Sequence, residues 1–145
     1  MDITLTERNL VLVGHILGAI ILLGPATMAA SIFPRLALAH NRALCEQFHR
    51  ITMRYGIATV VVPALGFYLA WRMDYLGLLW VQLSIGLFLG SFALLMIGIL
   101  PRQRDLLEGD VAAVQRSDVA SLRMMTGIYS LTWLVVLYLM VAKPS

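Results

Sequence analysis

An uncharged run of 24 residues, Leu10 to Phe33, constrains this chain more than any other feature, and it carries one histidine, His15, near its start. Eighteen or more apolar residues without charge are long enough to cross a bilayer as a helix. An ionisable side chain inside such a run is costly in hydrocarbon and by default marks a functional site. The composition agrees with a membrane chain: 60% of the 145 residues are hydrophobic and 13% charged, about half the charged fraction of a soluble domain. Asp2, Glu7 and Arg8 give the preceding segment a net charge of −1. A secretory signal instead opens with positive charge and has an apolar core of about 7–15 residues, so the run reads as a retained first helix.

The rest of the chain reads as three further helices around the first, in a single domain over 1–145. The expected helices are 9–39, 42–72, 76–107 and 111–141. Gly14 and Gly18 form a GxxxG in helix 1, a spacing that lets a neighbouring backbone approach closely. His15 sits beside that small-residue face and is expected to point into the bundle. Pro25 and Pro63 each remove an intrahelical hydrogen bond, so kinks are expected there. Thr6, Asn41 and Asp110 are the candidate N-caps. In helix 2 the residues Arg42, Glu46, Arg50 and Arg54 recur every four and then give way to the uncharged stretch Tyr55–Trp71. That helix therefore starts in water and runs into the membrane. Helix 3 is uncharged from Leu76 to Leu100 and carries a second GxxxG, Gly86 and Gly90. Helix 4 is polar up to Arg123 and apolar from Met124.

Charge sets an orientation. The two loops joining helices 1–2 and 3–4 hold Arg35, Arg42, Arg50, Arg54, Arg102, Arg104, Arg116 and Arg123, against Arg8, Arg72 and Lys143 on the other side. By the positive-inside rule the arginine-rich loops are cytoplasmic and both termini lie outside. The expected fold is an all-α, antiparallel, integral membrane four-helix bundle with helices 2–4 extending into the cytoplasm of a bacterial inner membrane. The net charge of +3 follows from this topology. The arginines form no basic stripe, so no nucleic-acid partner is expected.

His15 has two functional readings, axial ligand to a haem or proton-handling group, and one structural reading, a neutral imidazole bonded to a facing helix. His40 and His49 lie at the opposite boundary and cannot share a metal with it. Tyr68, Gln82, Met140 and Lys143 are the candidate second ligands; the Arg42–Glu46–Arg50–Arg54 stripe reads either as a solvated helix face or as a contact for anionic lipid headgroups or a propionate, and Arg35 is the best single candidate for such a contact. His40, Cys45 and His49 make a His-x4-Cys-x3-His that is not a zinc spacing. The lone Cys45 leaves the redox compartment unread. Copper handling ranks last, because soft ligands are not clustered. There is no GxSxG, P-loop, dinucleotide fingerprint or CxxC, and so no complete catalytic set.

At His15, Pro34-Arg35-Leu36-Ala37-Leu38-Ala39-His40 and Met140-Val141-Ala142-Lys143-Pro144 the chain resembles small bacterial integral membrane proteins that include the membrane-bound, haem-b-associated protoporphyrinogen oxidases. It is also similar to the membrane domain of copper-resistance protein D, and above all to an uncharacterised family of predicted four-helix integral membrane proteins. The resemblance implies haem b or porphyrin binding, with His15 as axial ligand and Arg35, Gln82, Met140 and Lys143 among the binding residues, in a protein open to redox chemistry. The oxidase pattern has a lysine early in helix 3, after a tryptophan. Here Trp80 is followed by Val81 and Gln82, and glutamine carries no charge, which favours the uncharacterised relatives over the enzyme. The alternative is a non-enzymatic accessory subunit, with the lipid bilayer and a membrane protein partner or a second copy as its surroundings.

Overall fold

A computed structural model describes residues 3–144. Met1 and Asp2 of the polar lead, and Ser145, lie outside the described residues. Among the described residues there are four long helices and no strand: α1 Leu5–Leu38, α2 Arg42–Arg72, α3 Leu79–Glu108 and α4 Arg116–Ala142. Each is long and apolar enough to cross a membrane. The four-helix, all-α expectation is therefore met. The ends differ in instructive ways. Thr4, not Thr6, caps α1, its hydroxyl accepting from the Glu7 amide at 3.1 Å. That places Glu7 inside the helix. Asn41 caps α2 as expected, accepting from the Leu44 amide at 3.2 Å. Asp110 caps only a single 3-10 turn, Val111–Ala113. The fourth helix opens five residues later than expected because Gln115 and Asp118 form a capping box there, which satisfies two orphan amides reciprocally. Helix α3 likewise starts at Leu79, after a turn in which Asp74 takes φ 59.

Three of the four prolines within the helices follow a departure from α geometry. A π turn over Ala19–Leu23 precedes Pro25, another over Leu94–Ile99 precedes Pro101, and turn residues Thr59 and Val60 precede Pro63. The cause is common to all three. Proline has no N–H and its ring crowds the carbonyl four residues back, so a widened or broken turn relieves the clash. Pro34 alone continues within regular helix.

Packing is unequal along the bundle. At the end where the arginine-rich loops lie, Gly24–Leu38 of α1 packs on both Arg42–Ala58 of α2 and α4, and α2 packs on the last segment of α3. Phe33, Leu95, Ile99, Val119 and Leu122 are buried there in one continuous core. His40 Nδ1 donates to the Val111 carbonyl at 2.9 Å and Arg42 donates to the Leu107 carbonyl at 2.6 Å, so the two arginine-rich loops are tied together. At the end that carries the termini, Leu5–Gly18 packs chiefly on Val61–Arg72, and Leu79–Ala93 on α4, while α2 and α3 meet only sparsely. There the bundle is two helix pairs side by side rather than a closed four-way core.

Candidate functional site

The α1–α2 pair at the terminal end is built around a histidine. Gly14 and Gly18 put no side chain on that face, so Leu65 and Val62 of α2 come within 3.6 and 3.3 Å of where their Cβ atoms would be. This is the close approach expected of the first GxxxG. His15 then points between the helices, 8% exposed, as the sequence predicts. Its Nδ1 lies 2.7 Å from the Val62 carbonyl oxygen. A carbonyl only accepts, so Nδ1 is the donor and Nε2 is left outside this hydrogen bond. The ring lies against Gly66, where a Cβ would sit 2.8 Å from Cε1 and 3.2 Å from Nδ1. Gly66 therefore makes the room that the imidazole occupies. Orientation of one ring nitrogen by a backbone carbonyl, leaving the other to a ligand, is the usual support of a metal-binding histidine.

A second polar group closes the same seam nearer the termini. The Tyr68 hydroxyl donates to the Glu7 carboxylate, Arg72 Nη1 donates to the same oxygen at 3.0 Å and to the Tyr68 hydroxyl at 2.9 Å, and the Arg72 guanidinium lies over the Tyr68 ring. The ion pair is half-buried. Tyr68 is thus engaged with Glu7 and not turned to His15. Beside this knot Arg8, Arg72 and Asp74 help line an open depression of about 350 Å³.

The remaining predicted residues lie elsewhere. Gln82 is exposed, and its Nε2 donates to the Leu76 carbonyl at 3.2 Å, closing the first turn of its own helix. Lys143 places its Nζ 5.9 Å over the Trp80 ring, which joins the start of α3 to the end of α4. Met140 is half-buried on α4. All three belong to the α3–α4 pair, which the His15 segment does not pack against closely. Arg35 is exposed and lies 20 residues along α1 from His15, about 30 Å at 1.5 Å per residue. That is beyond the reach of a porphyrin on His15. No group of three His, Cys, Asp or Glu side chains converges among the described residues.

Two features escaped sequence reasoning. The Glu7–Tyr68–Arg72 knot was legible only in part: Glu7 and Arg72 are the charges flanking the hairpin, but their pairing needs the α1–α2 register. At the other end His49 Nδ1 donates to Gln103 Oε1 at 2.8 Å, and no charge or motif announced that pair. No known family model, curated protein or solved structure matches the chain.

Proposed function

We propose that the chain is a multi-pass protein of a bacterial inner membrane, with both termini outside and the arginine-rich loops cytoplasmic, that holds haem b or a porphyrin through His15. One observation carries the reading: an imidazole sunk in an apolar helix seam, with Nδ1 committed to the Val62 carbonyl and Nε2 outside that bond. Its resemblance to haem-b-associated membrane proteins through His15, Pro34–His40 and the Lys143-Pro144 ending supports the same conclusion. The residues present would hold the group through the His15 imidazole. Bound there, haem iron supplies one-electron chemistry. The chain's own part is to hold the ring by the Val62 carbonyl, to leave room through Gly66, and to exclude water with the apolar α1–α2 seam. Arg8 and Arg72, at the mouth of the seam, are the cations nearest in sequence and register for a propionate; they replace Arg35 in that role.

An absorption spectrum of detergent-purified protein from haem-replete cells tests this. A Soret band is expected, lost in His15→Ala and retained in Met140→Leu. A colourless, folded preparation would overturn it. The accessory-subunit reading is favoured by one observation of its own. Gly86 and Gly90, the second GxxxG, have nothing within 4 Å of either Cβ position, so that face is unused within the chain. A stoichiometric partner or second copy retained in mild detergent supports this reading, and a clean monomer opposes it.

A further inference from the structure

One strip of α2 changes character within a turn. Val61 and Ile57 are exposed along it, at 52% and 46%, and one turn nearer the arginine-rich end the same strip carries Arg54 and then Arg50, both exposed. The positions 50, 54, 57 and 61 share a helix face by their three- and four-residue spacing. The opposite face, with Cys45, Thr52, Gly56 and Thr59, is buried in the bundle. The strip therefore looks outward, and its apolar part is a surface for lipid tails.

Register sets the depth of these arginines. Gly56 lies against Leu95, and His49 bonds Gln103, so Arg54 stands level with Ile97 and Gly98 of α3. That is a turn inside the uncharged Leu76–Leu100 stretch. The uncharged stretch of α2 itself, Tyr55–Trp71, has 17 residues, or about 26 Å, less than the ~30 Å of a hydrocarbon core. Arg42 is matched by Glu46 at 3.1 Å. Arg50 and Arg54 have no hydrogen bond or ion pair among the described residues. Like charges four residues apart repel. Helical side chains lean toward the helix N-terminus, which for α2 is the arginine-rich end, so both guanidiniums lean to the headgroup level.

We propose that Arg50 and Arg54 form a binding site for the phosphate of an anionic phospholipid whose acyl chain lies along Ile57 and Val61. Guanidinium forks match phosphate oxygens in charge and geometry, and the anion removes the repulsion between the two cations. The site rests on the membrane-spanning reading and is independent of any porphyrin at His15.

The test uses the full chain in neutral detergent, titrated with phosphatidylglycerol or phosphatidylcholine and followed by native mass spectrometry and thermal unfolding. Phosphatidylglycerol is expected to bind at least fivefold more tightly than phosphatidylcholine and to raise the unfolding temperature. The double variant R50Q/R54Q loses that preference, whereas R104Q/R116Q, the same loss of two charges at exposed arginines on α3 and α4, keeps it. Equal phosphatidylglycerol binding by wild type and R50Q/R54Q overturns the site. So does an equal loss in R104Q/R116Q, which would mean diffuse attraction to the whole arginine-rich end. Stabilisation reproduced by millimolar inorganic phosphate alone also overturns it, in favour of a free anion. Recovery of the chain in a detergent-free soluble fraction would instead sink the membrane reading beneath it.

Discussion

The two ends of this bundle solve the same packing problem differently. At the arginine-rich end four helices converge, Phe33, Leu95, Ile99, Val119 and Leu122 are sealed from solvent, and polar cross-links tie the loops. At the terminal end the helices stand as two pairs, and large apolar side chains such as Leu10 and Ile20 are 69% and 65% exposed on α1. The only histidine of that end sits inside one pair. A closed core fixes helix positions, and an end built of pairs leaves surface for something else: lipid, a cofactor or another chain. The closed end is thereby the expected seat of stability and the open end the place of the His15 seam, and each assignment can be broken.

The largest effect is expected in the closed half. Phe33→Ala removes a fully buried ring and should cost roughly 3–5 kcal/mol. Ile20→Ala, on the open half, should change stability by less than about 0.5 kcal/mol. Denaturant unfolding in a fixed detergent separates the two; equal costs would mean that the halves are not energetically distinct. Next comes a contrast between glycines. Gly66→Ala drives a Cβ to 2.8 Å from the His15 ring, and overpacking of this kind costs about 1–3 kcal/mol. It should also abolish any Soret band, because the ring must move. Gly86→Ala meets nothing within 4 Å and should leave the isolated chain's stability unchanged within about 0.5 kcal/mol. If Gly86→Ala nevertheless dissociates an oligomer seen by light scattering, the second GxxxG is an intermolecular face.

That contrast also shows what the sequence could and could not carry. Four helices were legible from uncharged runs and charge placement, because hydrocarbon-length apolar stretches leave few alternatives. The inward turn of His15 was legible from Gly14 and Gly18, since small residues mark a close backbone approach. Gly86 and Gly90 have the same spacing and no partner among the described residues. A GxxxG says that a backbone can approach, not which backbone does. The start of α4 was misplaced because Asp110 is as good a cap in sequence as Gln115 with Asp118. The choice turns on the loop geometry, where the His40–Val111 bond holds the 3-10 turn. The ligand partners proposed on α3 and α4 assumed a closed bundle at the terminal end, and pairing between helices is not written in the hydropathy of any one of them.

A smaller effect tests the seam at its mouth. Glu7→Gln keeps the size of the side chain but removes the charge that faces Arg72 and leaves only a neutral amide oxygen to accept from the Tyr68 hydroxyl. Because the two side chains keep 17% and 32% of their surface in contact with solvent, the cost should be about 1 kcal/mol rather than the several of a fully buried ion pair. The loss should be the same at low and high salt only if the pair is shielded from solvent; a loss that shrinks with salt marks it as a surface bridge.

The smallest expected effect lies in the closed half and cuts against intuition. Tyr129 is 1% exposed, its ring meets Trp133 edge-on at 6.3 Å, and the buried Tyr129 hydroxyl and Trp133 Nε1 make only a weak contact with each other and no hydrogen bond of full geometry among the described residues. A buried donor without a partner costs stability, so removing it is not a loss. Tyr129→Phe keeps the ring and its packing and should leave stability unchanged or raise it by up to about 1 kcal/mol. Trp133→Phe is a poorer test, since it also shrinks the ring beside Phe88. A Tyr129→Phe variant destabilised by more than about 1 kcal/mol in the isolated chain would show that the hydroxyl is bonded in solution. The closed half would then contain a polar interior that its apolar packing conceals.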